Sequence, residues 1–125
     1  MKNKLIYLAV PYSHPDRRIR EQRYYEVTKF AGELMQEGYL VFSPITHSHP
    51  IACHVDLPKD FEFWERFCLE ILKRCDELWV LCLPGWTTSV GVRAEIAKAK
   101  ELGMEIVFVN ESDEDDVDVA ISCLM

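Results

Sequence analysis

The sequence predicts a single α/β domain over residues 1–125: a three-layer parallel sheet of four to five strands with helices on both faces. Three observations carry this expectation. The apolar runs Leu5 to Val10, Tyr39 to Ser43, Leu78 to Leu83 and Ile106 to Val109 are short and nearly continuous, as in strands buried on both faces. Stretches with helical period separate them, so crossovers join the strands and the sheet is parallel. No repeat, linker or low-complexity tract divides the chain.

Each element has a local reason. The first strand, Leu5 to Val10, ends at Pro11. Pro15 to Glu37 follows as a helix, with Val27, Phe30, Ala31, Leu34 and Met35 at core spacing and Gly38 as its stop. Tyr39 to Ser43 is the second strand. Pro44 to Lys59 carries three prolines and three histidines and reads as a long loop. Asp60 to Arg74 returns to helical period, with Phe61, Trp64, Cys68, Ile71, Leu72 and Cys75 inward. The third strand leads through Pro84 to Gly91 into a helix stopped by Gly103, and the fourth strand, Ile106 to Val109, follows. A weak helix closes the chain from Val117.

Composition removes several classes of function. A formal net charge of −7 argues against a nucleic-acid polymer as partner, because backbone recognition needs a basic surface. No apolar run approaches the roughly 20 residues that cross a bilayer, so no membrane partner is expected. The N-terminus runs straight into a strand, without a small-residue cleavage site, so no secretory signal is expected. Glu111 to Asp118 is acidic but contains no glycine to shape a calcium loop, and reads as a solvated turn and helix start. The five cysteines, 53, 68, 75, 82 and 123, form no C-x-x-C pair. They read as reduced thiols, mostly buried, in a cytoplasmic protein.

Ligands of such sheets sit beyond the carboxyl ends of the strands, near the point where strand order reverses. That makes three loops suspect: Pro11 to Asp16, Pro44 to Lys59, and Pro84 to Gly91. Just behind the third stands Glu95. At about 100° per residue, Val92, Ile96, Ala99 and Leu102 share one helical face, and Glu95 falls inside that arc. A carboxylate aimed into a core is costly to keep. It is either an ion-pair partner, for instance of an arginine from the first helix, or a nucleophile for an electrophilic carbon such as a sugar C1.

Other residues gather around it. Tyr7, mid-strand, needs a hydrogen-bond partner if buried, and an inward carboxylate would serve. Ser89 and Gly91 flank a helix start, where amide groups and the dipole favour an anion; equally, Ser89 is a plain N-cap. Tyr12 and Ser13 in the first loop, and Trp86 in the third, are candidate substrate contacts, though Tyr12 and Trp86 suit covering the core as well. His47, His49, Cys53 and His54 crowd one loop, but their spacing matches no tetrahedral zinc site and Pro50 interrupts them. No metal is expected, and His47 reads instead as a substrate contact near the end of the second strand.

The residues Ile6-Tyr7-Leu8-Ala9-Val10-Pro11-Tyr12 resemble the opening motif of the nucleoside 2-deoxyribosyltransferase superfamily. Ser89-Val-Gly-Val-Arg-Ala-Glu95-Ile-Ala-Lys-Ala99 resembles its Gly-x-x-x-Glu-x-x-x-Ala helix, and Cys75-Asp76 precedes the third strand in the expected order. Gly85-Trp86 and Ser43 to Ser48 look most like a small branch of that superfamily related to deoxynucleoside 5′-monophosphate N-glycosidases. The resemblance implies a flavodoxin- or Rossmann-like sheet, a nucleophilic glutamate at Glu95, and a tyrosine at Tyr7 that hydrogen-bonds it. It also implies a serine at Ser89 that contacts a 5′-phosphate, a homo-oligomer, and no cofactor.

One position departs from the family. Eight residues before the acid matching Asp76 the superfamily places an aspartate that contacts or protonates the leaving base; here Cys68 stands there. A thiol, with an ordinary pKa of ~8.5, is a poor acid for the task. The expected activity is cleavage, by hydrolysis or transfer, of the N-glycosidic bond of a 2′-deoxynucleoside or its 5′-monophosphate, with His47 or Asp60 protonating the base. The alternative is a non-catalytic nucleotide-binding or sensing module that retains the pocket without the acid.

Overall fold

The computed structural model describes residues 3–110. Strand β1 (Leu5–Ala9) is followed by α1 (Arg17–Gln36), β2 (Leu40–Phe42), α2 (Pro44–Val55) and α3 (Phe61–Leu72). Then come β3 (Glu77–Cys82), a 3-10 turn at Trp86–Thr88, α4 (Val90–Glu101) and β4 (Glu105–Asn110). The four strands form one sheet in the order β2-β1-β3-β4, and every pairing is parallel. This is the order of the first strands of a flavodoxin-like sheet, with the reversal between β1 and β3. The acidic run from Glu111, the helix expected from Val117, and Cys123 lie outside the described residues.

Alternation along the strands sorts the core into two layers, because successive side chains leave opposite faces. Ile6, Leu8, Val10, Trp79, Leu81, Val107 and Val109 pack with Val27, Phe30, Ala31 and Leu34 of α1. On the other face Tyr7, Ala9, Leu78, Val80 and Cys82 pack with Cys68 and Leu72 of α3 and Val92 and Ala99 of α4. The three layers are thus α1, the sheet, and α3 with α4. Tyr7, at an odd position of β1, is thereby committed to the side where α4 lies.

Four polar side chains start the helices. Asp16 accepts from Arg18 N at 2.9 Å, and Ser89 accepts from Val92 N at 3.2 Å. Ser43 and Asp60 accept from Thr46 N and Phe63 N, each at 3.4 Å. Each satisfies a backbone donor that the first turn leaves free.

The expected loop from Pro44 to Lys59 is instead largely helical, as α2. Pro44 occupies the first turn, where no N–H is needed, and Asp56 closes the helix with φ 58°. Pro50 inside it forgoes one hydrogen bond, yet Pro44, Ser48 and Ala52 are buried at four-residue spacing. That small-residue face was the signal hidden by the prolines; packing on α1 and β1 outweighs the local penalty. Met35 and Leu102, expected inward, are 55% and 43% exposed. Each lies about 80° round its helix from a core residue, Val27 or Val92, at the edge of the buried stripe. Strand β2 is shorter than the apolar run, since only Leu5, Ile6 and Tyr7 offer it partners.

Candidate active site

Helix α4 buries Val92, Glu95 and Ala99, so the spacing that holds the helix on the sheet also carries a carboxylate inward. Glu95 is only 5% exposed, and its Oε2 accepts a hydrogen bond from the Tyr7 hydroxyl. Tyr7 itself is fully buried in β1. Burial pushes the Glu95 carboxyl up to about 8, and the Tyr7 hydrogen bond works against that rise. Desolvation, and then the neighbouring Glu95, hold the Tyr7 hydroxyl well above its ordinary value, so it stays a donor. Cys68 of α3 faces the same pair; burial first and Glu95 second push its thiol up to about 12.

Glu95 and Cys68 form part of the wall of a cleft of about 1300 Å³ at the carboxyl ends of β1 and β3. The Pro11–Asp16 loop, α2, the start of α3 and the Pro84–Gly91 loop enclose it. Arg23 of α1 braces two of these walls. Its guanidinium donates to the carbonyls of Tyr12 (3.3 Å) and Ser13 (3.1 Å), and to that of Pro84 at 3.0 Å. The ion pair between Glu95 and a first-helix arginine therefore does not form; Arg23 is spent on backbone carbonyls. Gly85, with φ 95°, makes room for it, since a Cβ there would lie 2.7 Å from Arg23 Nη2.

The structure divides the sequence-derived candidates. Tyr12, Ser13, Cys68, Ser89, Gly91 and Glu95 line the cleft, and Tyr7 stands behind Glu95. Ser13 Oγ donates to the Lys59 carbonyl at 3.1 Å, tying two loops together. Ser89 is both a cap and a lining residue: its oxygen accepts from Val92 N and its own proton remains to be donated. The freedom at Gly91 is taken up by protein, because a Cβ there would meet the Phe61 ring at 3.0 Å.

Two candidates lie elsewhere. Trp86 does not line the cleft; its ring packs on Phe108 of β4 with centroids 5.4 Å apart, covering the core. His47 is exposed and stacks on Phe67 at 5.2 Å, turned away by the unexpected helix of which it is part. Its neighbour two residues on, His49, lines the cleft instead, and Tyr12 and His49 Nδ1 share a hydrogen bond of 2.5 Å. Reading α2 as a loop concealed this, since helical phase decides which histidine faces inward. Phe61 and Trp64, expected only as core, also line the cleft and give it an aromatic wall. Among the described residues no group of three or more His, Cys, Asp or Glu is placed to hold a metal ion. None of the described helices is long and apolar enough to cross a membrane.

Residues 4–111 match the model of a family described as a domain of unknown function, DUF1937. The chain is a member of the DUF1937 family. The match spans every residue of the cleft, so the site is built wholly within the DUF1937 domain. No curated protein sequence matches this DUF1937 member.

Proposed function

We propose that this protein cleaves the N-glycosidic bond of a 2′-deoxynucleoside or its 5′-monophosphate, with Glu95 as the nucleophile. The observation that carries this reading is the buried Glu95 carboxyl, held by Tyr7 and presented to a cleft large enough for a nucleotide. Glu95 attacks C1′ from the face opposite the base, the C1′–N bond breaks, and a glycosyl ester forms on Glu95. Water or a second base then displaces the sugar from Glu95, and two inversions give overall retention.

The surroundings fit those steps. With its pKa near 8, about a tenth of Glu95 is carboxylate at pH 7, and Tyr7 orients the reactive oxygen. The Ser89 hydroxyl and the first amides of α4 offer donors to a 5′-phosphate. Phe61 and Trp64 supply faces against which a base stacks. The resemblance also makes a homo-oligomer part of this proposal.

The test is direct. Incubation with a panel of 2′-deoxynucleosides and their 5′-monophosphates, followed by chromatography, should release free base, and Glu95→Ala should reduce release by more than ~10³-fold. Unchanged hydrolysis by Glu95→Ala would end this mechanism. Cys68, protonated and buried where the nucleoside 2-deoxyribosyltransferase superfamily that the sequence resembles keeps its acid, favours one rival: a sensor that binds nucleotide and releases no base.

A further inference from the structure

The glycosidase reading leaves a gap that the cleft itself fills. A departing base needs a proton, and the Cys68 thiol, pushed up to about 12 by burial, is not an effective donor. His47 is outside the cleft. Asp60 does line the cleft, but it is exposed and its carboxylate is engaged by the Phe63 N–H as the cap of α3. What the cleft does contain is a preset pair on two different elements: Tyr12 after β1 and His49 on α2.

Their geometry is tightly constrained. His49 Nδ1 and the Tyr12 oxygen lie 2.5 Å apart, and the imidazole stacks on Tyr24 with centroids 4.3 Å apart and planes at 27°. The far nitrogen, Nε2, meets Cys53 Sγ at 3.9 Å, one helical turn along α2. In the tautomer where the Cys53 thiol donates to Nε2, the proton sits on Nδ1 and Nδ1–H donates to the Tyr12 oxygen. That tautomer leaves the phenol proton free for the cleft. Burial raises the Tyr12 hydroxyl above its ordinary value and Cys53 adds to that rise, while the Arg20 guanidinium, hydrogen-bonded to the same oxygen, works against it and favours the anion.

We infer that Tyr12 is the general acid of this site and that His49, locked by Cys53 and Tyr24, is the residue that positions it and stabilises its anion. This rests on the glycosidase reading. As Glu95 attacks C1′, the C–N bonding pair moves onto the base, which takes the proton from Tyr12 Oη. The phenolate so formed keeps the Nδ1–H hydrogen bond of His49. In the second half, water attacks C1′, its proton returns to the Tyr12 phenolate, and the Glu95 carboxylate is released. Water and substrate are converted to free base and free sugar with no other reactant.

The experiment compares two leaving groups on the same 2-deoxyribosyl donor. One is an unactivated purine or pyrimidine; the other is 4-nitrophenolate, which departs without a proton. Tyr12→Phe should lower kcat/KM for the nucleobase substrate ~10²–10³-fold, and for the nitrophenyl substrate less than ~10-fold. His49→Gln should show the same selectivity at about a tenth of the size, which keeps the idea testable if Tyr12→Phe folds poorly. Equal losses on both substrates in both variants, or no loss on either, would overturn the acid role while leaving Glu95 intact. Nitrophenolate release that survives Glu95→Ala, or wild-type protein that cleaves neither donor, overturns the parent reading and this one with it.

Discussion

The Tyr7 hydroxyl donates to Glu95 across 88 positions of sequence, joining the central strand to the helix behind the cleft. Both groups are almost without solvent, so each is the other's main polar contact. The hydrogen bond favours the carboxylate, while burial favours the neutral acid, and burial is the stronger.

That balance fixes the pH dependence. If Glu95 reacts as a carboxylate, kcat/KM should rise with pH through an inflection near 8. Tyr7→Phe removes the contribution that lowers this pKa, so the inflection should move upward. Initial rates between pH 5 and 10 decide it; a rate that falls with pH would assign Glu95 the role of acid instead.

Stability should carry the same signature with a defined sign. Glu95 has a folded pKa above the ordinary carboxylate value, so the folded state binds the extra proton. Its stabilising contribution is complete below about pH 4.5 and is lost as pH rises through about 8. Glu95→Gln should match wild type within about 1 kcal/mol at pH 5 and exceed it by a few kcal/mol at pH 9, the gap widening by up to ~1.4 kcal/mol per pH unit. Urea titrations at several pH values check this, and parallel curves for the two proteins would contradict it.

Gly85→Ala should destabilise the protein by about 1–3 kcal/mol, because φ 95° is strained for alanine and the new methyl displaces Arg23 Nη2. Arg23→Met removes three donations to loop carbonyls and should cost a similar amount. Since both changes break the contact with Pro84, the double variant should lose less than the sum, by at least about 0.5 kcal/mol in a double-mutant cycle.

Thiol chemistry should separate the cysteines. Cys53 is exposed, whereas Cys68, Cys75 and Cys82 are buried, and burial pushes the thiols of Cys68 and Cys75 up to about 12 and about 11. In a Cys123→Ser background, iodoacetamide should label Cys53 at least ~10²-fold faster than the other three in native protein. Peptide mapping against time reads the ratio. Comparable labelling of Cys68 would place it in open solvent rather than against Tyr7 and Glu95.

What the chain determines locally was legible before any coordinates. Four strands, three of the helices and the inward phase of Glu95 follow from periodicity, which depends only on neighbours within a turn or two. Tyr7 as the partner of that carboxylate followed from the cost of leaving either group unpaired. The tertiary structure decided the rest. It made Pro44–Val55 a helix, turned His47 out and His49 in, sent Trp86 to Phe108, and gave Arg23 to loop carbonyls rather than to Glu95. Those outcomes turn on small differences between competing contacts among segments distant in sequence, and no local pattern records which contact is available.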